Sequence, residues 1–442
     1  MMFINKILPA ALLALSVIPP VAATTYTIRP DGTGDYPTIQ DAINAVYPGH
    51  VIELADGTFV GEGNRDLDFL GKSITVRSES GVPEACVIDC QGSASDPHRG
   101  FLFGTGETAD AVLEGISVIK GYALGDGPQE NCGGGILCRN GSSPTLRGLV
   151  LRQNQAPHSH GGALASYESA PTVTDCIFRE NTALADGGMY CHDGQATVSQ
   201  VTFEGNQCIA FGGGMSCSGD IVACLTDVRF QNNTTTNGYG GGLAVHDGSV
   251  SISTCWFQGN VGYTGGGLAC NGGTVVIREC TFIENEAETV GAALHASHPF
   301  TQTHVEQCTF VKGSASSGGM IWSAFEAQVL LENCIIAFSS LGQAVTCEEG
   351  GSVMLACCDI YGNEGGDYVD CIAGQWGIDG NISADPLFLD LPGDDLHLQC
   401  NSPCAPFTPP NPDCDRIGAW PVFGFTPVTR TTWQGIKRRF LD

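Results

Sequence analysis

The chain has 442 residues, of which 60 are glycine, about twice ordinary usage, and only 15% are charged. That balance suits short buried strands and tight turns and excludes an architecture of long amphipathic helices. Acidic residues outnumber basic ones 47 to 19, a net charge of −28, so nucleic acid and anionic lipid are excluded as partners, and an anionic polysaccharide would need bridging cations.

In chain order, residues 1–23 come first and read as a secretory signal. Lys6 supplies the positive region, Ile7 to Ile18 the apolar region and Val21-Ala22-Ala23 the small-residue cleavage site. The apolar run is too short to span a bilayer comfortably, so no transmembrane segment is expected in a mature chain beginning at Thr24. Next, Ile39, Ala42, Ile43 and Val46 fall at helical spacing after Pro37, the expected first helical residue, which predicts a short amphipathic capping helix. Asp31-Gly-Thr-Gly-Asp35 reads as the turn leading into it, since a full set of calcium ligands is missing.

From residue 149 a repeat takes over. Leu149, Cys176, Val201, Val228, Cys255, Cys280, Cys308, Cys334 and Cys358 begin similar segments, with steps of 27, 25, 27, 27, 25, 28, 26 and 24. Most continue to an aromatic two residues later (Phe178, Phe203, Phe230, Phe257, Phe282, Phe310). An asparagine follows three residues after that, at Asn154, Asn181, Asn206, Asn233, Asn260 and Asn285. Glycine pairs fall between these segments, at Gly161-Gly162, Gly187-Gly188, Gly213-Gly214, Gly241-Gly242 and Gly266-Gly267. Apolar residues at i and i+2 share one strand face, and a single coil cannot bury that face. Stacked coils about 4.8 Å apart can, so the pattern predicts an all-β, right-handed parallel β-helix spanning residues 24–420 as one domain. The asparagines are expected to take left-handed turns and to stack their amides along the axis.

The 21 cysteines mostly alternate with Leu, Val and Ala in these columns, which marks them as small buried hydrophobes with free thiols. Disulfides are expected instead among Cys400, Cys404 and Cys414, and between Cys86 and Cys90. No paired Cys-x-x-Cys spacing supports a metal site. Residues 421–442 read as a linker and a basic amphipathic tail, with Trp433, Ile436 and Phe440 on one face and Lys437, Arg438 and Arg439 supplying charge.

The Phe-x-x-Asn and Gly-Gly-x-[Ile/Leu] repeats resemble those of chlamydial polymorphic outer membrane proteins. More broadly the chain resembles secreted bacterial β-helix proteins of the pectate-lyase-like superfamily. Asp35-Tyr-Pro-Thr-Ile-Gln-Asp-Ala42 and Val51 to Thr58 are similar to the opening segment of that superfamily. Ala384-Asp-Pro-Leu-Phe388, Ser402-Pro-Cys404 and Ile417-Gly-Ala419 are similar to its closing segment. The resemblance implies the fold and leaves the activity open, because the superfamily holds lyases, hydrolases, esterases, adhesins and structural proteins. The chlamydial relatives end in a membrane barrel of at least about eight strands, and nothing after Pro421 matches one, so self-transport is not expected.

Function is sought on the outward columns. One reads Gly148, Asp175, Gln200, Asp227, Thr254, Glu279; the other, two residues along, reads Val150, Ile177, Thr202, Arg229, Trp256, Thr281. Asp175, Asp227, Arg229, Trp256 and Glu279 are the candidate ligand-binding residues, an aromatic and a guanidinium among acids. Asp175 and Asp227, two coils apart, would stand about 9.6 Å from each other, near the upper limit of about 9.5 Å for inverting glycosidases. His192 and His246 each precede Asp-Gly and read as turn residues, without a Ser-His-Asp arrangement. No catalytic constellation, cofactor motif or calcium motif is recognised. The reading is a noncatalytic secreted or cell-surface protein that binds a glycan, a matrix or a partner. The alternative is a polysaccharide lyase or glycoside hydrolase.

Overall fold

The structure, a computed structural model, describes residues 23–423 apart from 126, 128 and 411. The signal segment, except Ala23, and the amphipathic tail lie outside the described residues.

One coil shows how the sequence builds the rest. Met189–Ser199 runs as a strand of the first sheet, and Gln200 turns the corner with φ 55°. Thr202–Glu204 forms the second sheet with Phe203 pointing inward, and Gly205 turns again at φ 62°. Asn206 follows, Gln207–Cys208 forms the third sheet, and Gly212 to Gly214 leads back to the next strand, Met215–Thr226. Parallel stacking of such coils gives sheets of 22, 12 and 7 strands, a right-handed parallel β-helix. Glycine is required in the return loop because backbones approach closely there: a Cβ on Gly213 would lie 2.3 Å from the carbonyl oxygen of Gly241.

The phenylalanine column is in register from coil to coil. The six rings from Phe178 to Phe310 are buried, with centroids 4.5 to 5.1 Å apart, close to the strand spacing itself. Asparagine amides form a second ladder. Asn154, Asn181, Asn206, Asn233 and Asn260 each donate Nδ2 to the Oδ1 of the next asparagine at 2.9–3.1 Å.

The corners differ from expectation. The column Gly148, Asp175, Gln200, Asp227, Thr254, Glu279 is not a strand face: every member has φ between 51° and 59° and makes the turn between the first and second sheets. The asparagines, in turn, are not the left-handed residues; those are the residues before them, such as Glu180, Gly205 and Asn232. A single left-handed residue reverses the in-out alternation, which lets the following Cys, Val or Asn point into the core.

At the start, helix α1 (Ile39–Ala45) covers the first coil with Ile39, Ala42 and Ile43 buried. Its N-cap is Thr38, which accepts from the Asp41 amide, so Pro37 precedes the cap and is not the first helical residue. Asp31 accepts from the Thr33 amide and hydroxyl at 3.0 and 2.7 Å and closes a plain turn.

At the other end the chain folds back. Phe388–Asp390 and Asp395–Leu398 pair antiparallel, and this closing segment lies along the outer face of the second sheet. Phe388, Leu396, Leu398, Ile417 and Val422 pack on Ile283, Val311 and Ile335. Trp420 Nε1 donates to Thr281 Oγ1 at 2.9 Å, and the Gly418 amide donates to the Asn333 carbonyl at 2.7 Å.

The cysteines divide differently from the expected pairs. Cys347–Cys371 and Cys357–Cys414 are disulfides, and the other seventeen cysteines are not disulfide-bonded. Cys86 and Cys90 are not bridged, since four residues of extended strand separate their Cα atoms by about 13 Å, far beyond disulfide reach. Cys400 is free and exposed, and Cys404 is free and buried. Of the expected closing-segment cysteines only Cys414 pairs, with Cys357 of the last coils. The column cysteines Cys176, Cys255, Cys280, Cys308 and Cys334 are free and buried. Alkylation should therefore label two thiols in the native protein, Cys224 and Cys400, and seventeen after denaturation without reductant. More than two rapidly labelled native sites would contradict the column assignment.

Candidate functional site

The closing segment covers the second sheet only down to the coil of Trp256. Where its edge stops, an open cleft of about 660 Å³ remains. Its floor comes from outward residues of the second sheet, Thr202, Arg229 and Trp256. One wall is the corner column, Gln200, Asp227, Thr254 and Glu279, and the opposite wall is the closing segment with Arg416, Trp420 and Pro421.

Both tryptophans are held in place. Trp256 Nε1 donates to Gln258 Oε1 at 3.2 Å, and Trp420 is fixed through Thr281. Their centroids are 5.8 Å apart with planes at 72°, an edge-to-face pair that presents two steeply inclined apolar surfaces. Arg416 donates Nε to the Gly418 carbonyl at 3.1 Å and Nη2 to Glu279 Oε1 at 3.4 Å, which ties the closing segment to the corner column. Asp227 Oδ1 accepts from Thr254 Oγ1 at 2.7 Å. Among the described residues no ion pair or side-chain hydrogen bond holds Arg229, whose guanidinium is exposed on the cleft floor.

Four of the five candidate residues, Asp227, Arg229, Trp256 and Glu279, line this cleft. Asp175 does not. It is an exposed corner residue nearer the start of the solenoid. The residues missed from sequence are Arg416 and Trp420, which reach the coil of Trp256 only because the closing segment folds back. The Ile417-Gly-Ala419 motif lies between them, but no spacing in the chain ties residue 420 to residue 256.

Asp227 and Glu279 are both exposed to solvent on the cleft wall. No group of three or more His, Cys, Asp or Glu side chains able to hold a metal occurs among the described residues.

A second correction concerns the histidines. His192 lies within the strand Met189–Ser199, and His246 ends the strand Leu243–His246. The left-handed residues are the aspartates that follow, Asp193 at φ 52° and Asp247 at φ 66°, so each histidine stays in the ladder. His192 Nδ1 is 2.9 Å from Ser218 Oγ on the next coil, a serine–histidine contact not expected from sequence.

Residues 201–325 match the family described as the right handed beta helix region. No curated protein shows significant sequence similarity to the chain. Among solved structures, the periplasmic alginate epimerase AlgG is similar at 9% identity and TM-score 0.48, over 70% of this chain and 76% of that one. Pectate lyase Pel9A is similar at 14% identity and TM-score 0.42, over 91% of this chain and 98% of that one. A rhamnogalacturonan lyase is similar at 13% identity and TM-score 0.35, over 84% of this chain and 91% of that one.

Proposed function

We propose that this is an exported β-helix protein that binds an extended glycan, and that the cleft between the second sheet and the closing segment is its contact surface and does not cleave the bound chain. The observation that carries the reading is the pair of immobilised tryptophans beside Arg229, which has no side-chain partner among the described residues. Sugar rings present apolar faces and hydroxyl edges, so a site for them combines aromatic faces with charged donors and acceptors. Trp256 and Trp420 supply the faces, Arg229 donates, and Asp227 accepts. Because the indoles are already fixed, little side-chain entropy is lost on binding. The secretory character of residues 1–23 and the two disulfides support export. Among the described residues no helix is long and apolar enough to cross a membrane.

A glycan array with and without calcium, followed by calorimetry on the best hit, tests this. Trp256→Ala is expected to weaken binding at least tenfold, about 1.4 kcal/mol. Incubation with polygalacturonate and calcium tests the cleaving alternative. Unsaturated products formed at an enzymatic rate, and abolished by Arg229→Ala, would overturn the noncatalytic reading of the cleft.

A further inference from the structure

The first sheet carries a cluster of side chains that the cleft does not use. Strand pairing places Tyr167, His192, Ser218 and His246 in one column on successive coils. The ladder is interrupted at this level. His192 pairs with Ser218 and Gly194 with Ile221, so Asp193 alone stands opposite Gly219 and Asp220. Such a bulge bends the strand and re-aims the neighbouring side chains. Gly219 is needed there: its φ is +72°, and a Cβ would lie 2.2 Å from Asp193 Oδ1 and 3.2 Å from His192 Cε1.

The bulge leaves Ser218 between two partners. Its Oγ is 2.9 Å from His192 Nδ1 and 2.9 Å from the Tyr190 hydroxyl. Burial pushes the Tyr190 phenol up to about 12, so it keeps its proton and is able to donate to Ser218 Oγ. With Tyr190 donating, the serine's own proton is available to His192 Nδ1. Asp193 Oδ2 lies 3.5 Å from His192 Nε2, which favours the tautomer with that nitrogen protonated and Nδ1 free to accept. Tyr190 is clamped from the other side, its ring stacked on His160 at 4.3 Å. His160 Nδ1 is 2.6 Å from Asp186, a wholly buried carboxylate that also accepts from Ser216 Oγ. Ser218 and His192 themselves are half-buried and open to solvent.

We propose that Ser218 and His192 form a second site, independent of the cleft, that hydrolyses small neutral carboxylic esters such as acetyl esters. Ser218 Oγ attacks the ester carbonyl and its proton passes to His192 Nδ1. The Tyr190 hydroxyl donates to the carbonyl oxygen as negative charge develops on it. The carbon–alkoxy bond breaks, and the alcohol leaves with the proton from His192. Water then attacks the acyl-serine, giving up a proton to His192, and Ser218 recovers its proton as the carboxylic acid departs. No oxidant or metal is involved. The cluster's charged groups are the carboxylates Asp186 and Asp193, which disfavours an anionic substrate.

The test uses the full chain, a fluorophosphonate probe and p-nitrophenyl acetate. One covalent label is expected per protein, on the peptide containing Ser218, together with ester turnover. Both should fall at least a hundredfold in Ser218→Ala and in His192→Gln, and Tyr190→Phe should lower kcat about tenfold with KM little changed. Thermal melts identify any variant that fails to fold, and the serine and histidine variants lie on different coils, so each checks the other. No label and no turnover in the wild type would overturn the proposal. So would label or turnover that persists in folded Ser218→Ala or His192→Gln.

Discussion

Asn206→Ala is expected to destabilise the middle of the solenoid by roughly 4 kcal/mol, although it removes only a small polar side chain. Asn206 is wholly buried. Its Oδ1 accepts from the Asn181 amide at 3.1 Å and from Asn181 Nδ2 at 2.9 Å. Its Nδ2 donates to the Phe178 carbonyl at 2.9 Å and to Asn233 Oδ1 at 2.9 Å. Truncation strips the Asn181 amide and the Phe178 carbonyl of these partners in a dry interior, at about 1–3 kcal/mol each, and shortens the amide ladder in both directions. Coils of a solenoid are coupled mainly to their neighbours, so the damage should be local. Hydrogen exchange should lose protection first between residues 178 and 233. Exposed Gln207→Ala, next along the chain, should change stability by no more than about 0.5 kcal/mol. Equal urea midpoints for the two variants would show that the ladder contributes nothing.

The fold was legible because the period of about 26 residues fixes the stacking and the i, i+2 apolar pairs fix which face turns inward. Phe178 to Phe310 could be placed in one internal column from spacing alone. The corners were not legible. Asp175, Gln200 and Thr254 look like polar residues of a strand face, and nothing in their side chains announces a positive φ. Their conformation is imposed by the buried residues on either side, since L-residues adopt it at a cost of about 1–2 kcal/mol. The cysteines follow the same logic. Those exchanging with Leu and Val were readable as core residues, whereas Cys357 and Cys371 find Cys414 and Cys347 only through the path of the last coils and the closing segment.

The candidate site was legible to the extent that it lies on the repeat. Asp227, Arg229, Trp256 and Glu279 belong to neighbouring coils, so their proximity follows from the period. Arg416 and Trp420 do not belong to the repeat, and their position depends on the fold-back. Composition gave no hint of the cover: the outward column carries apolar Val150 and Ile177 before the cleft and Thr309, Ile335 and Asp359 beneath the closing segment. The contact between His192 and Ser218 escaped for another reason. A two-against-one bulge changes the register by a single residue, and an Asp-Gly pair looks the same at a turn and at a bulge.

The closing segment should hold more tightly in acid than in base, and Asp359→Asn should remove that dependence. Asp359 takes the outward position of the second sheet next to Ile335, directly beneath the closing segment, and is wholly buried. Its Oδ1 accepts from the Ala384 amide at 3.0 Å, and its Oδ2 is 3.0 Å from Cys404 Sγ. Burial pushes its carboxyl up to about 7, from an ordinary 3.8. Below about pH 4 the group is protonated whether the segment is docked or open, and it has no effect on docking. Between about 4 and 7 the open form ionises while the docked form keeps its proton, so docking weakens steadily as pH rises. Above 7 the whole penalty is present, on the order of 4 kcal/mol at most. An asparagine can accept from the Ala384 amide and donate to the Cys404 sulfur without ever carrying charge. Hydrogen exchange over residues 384–422 should therefore be slower in Asp359→Asn than in the wild type at pH 8, after correction for intrinsic rates, and nearly equal at pH 4. The Cys357–Cys414 disulfide confines any opening to the segment itself, so the wild type should show local exchange at pH 8 and not loss of the solenoid. Parallel pH profiles for the two proteins would place the titrating group elsewhere.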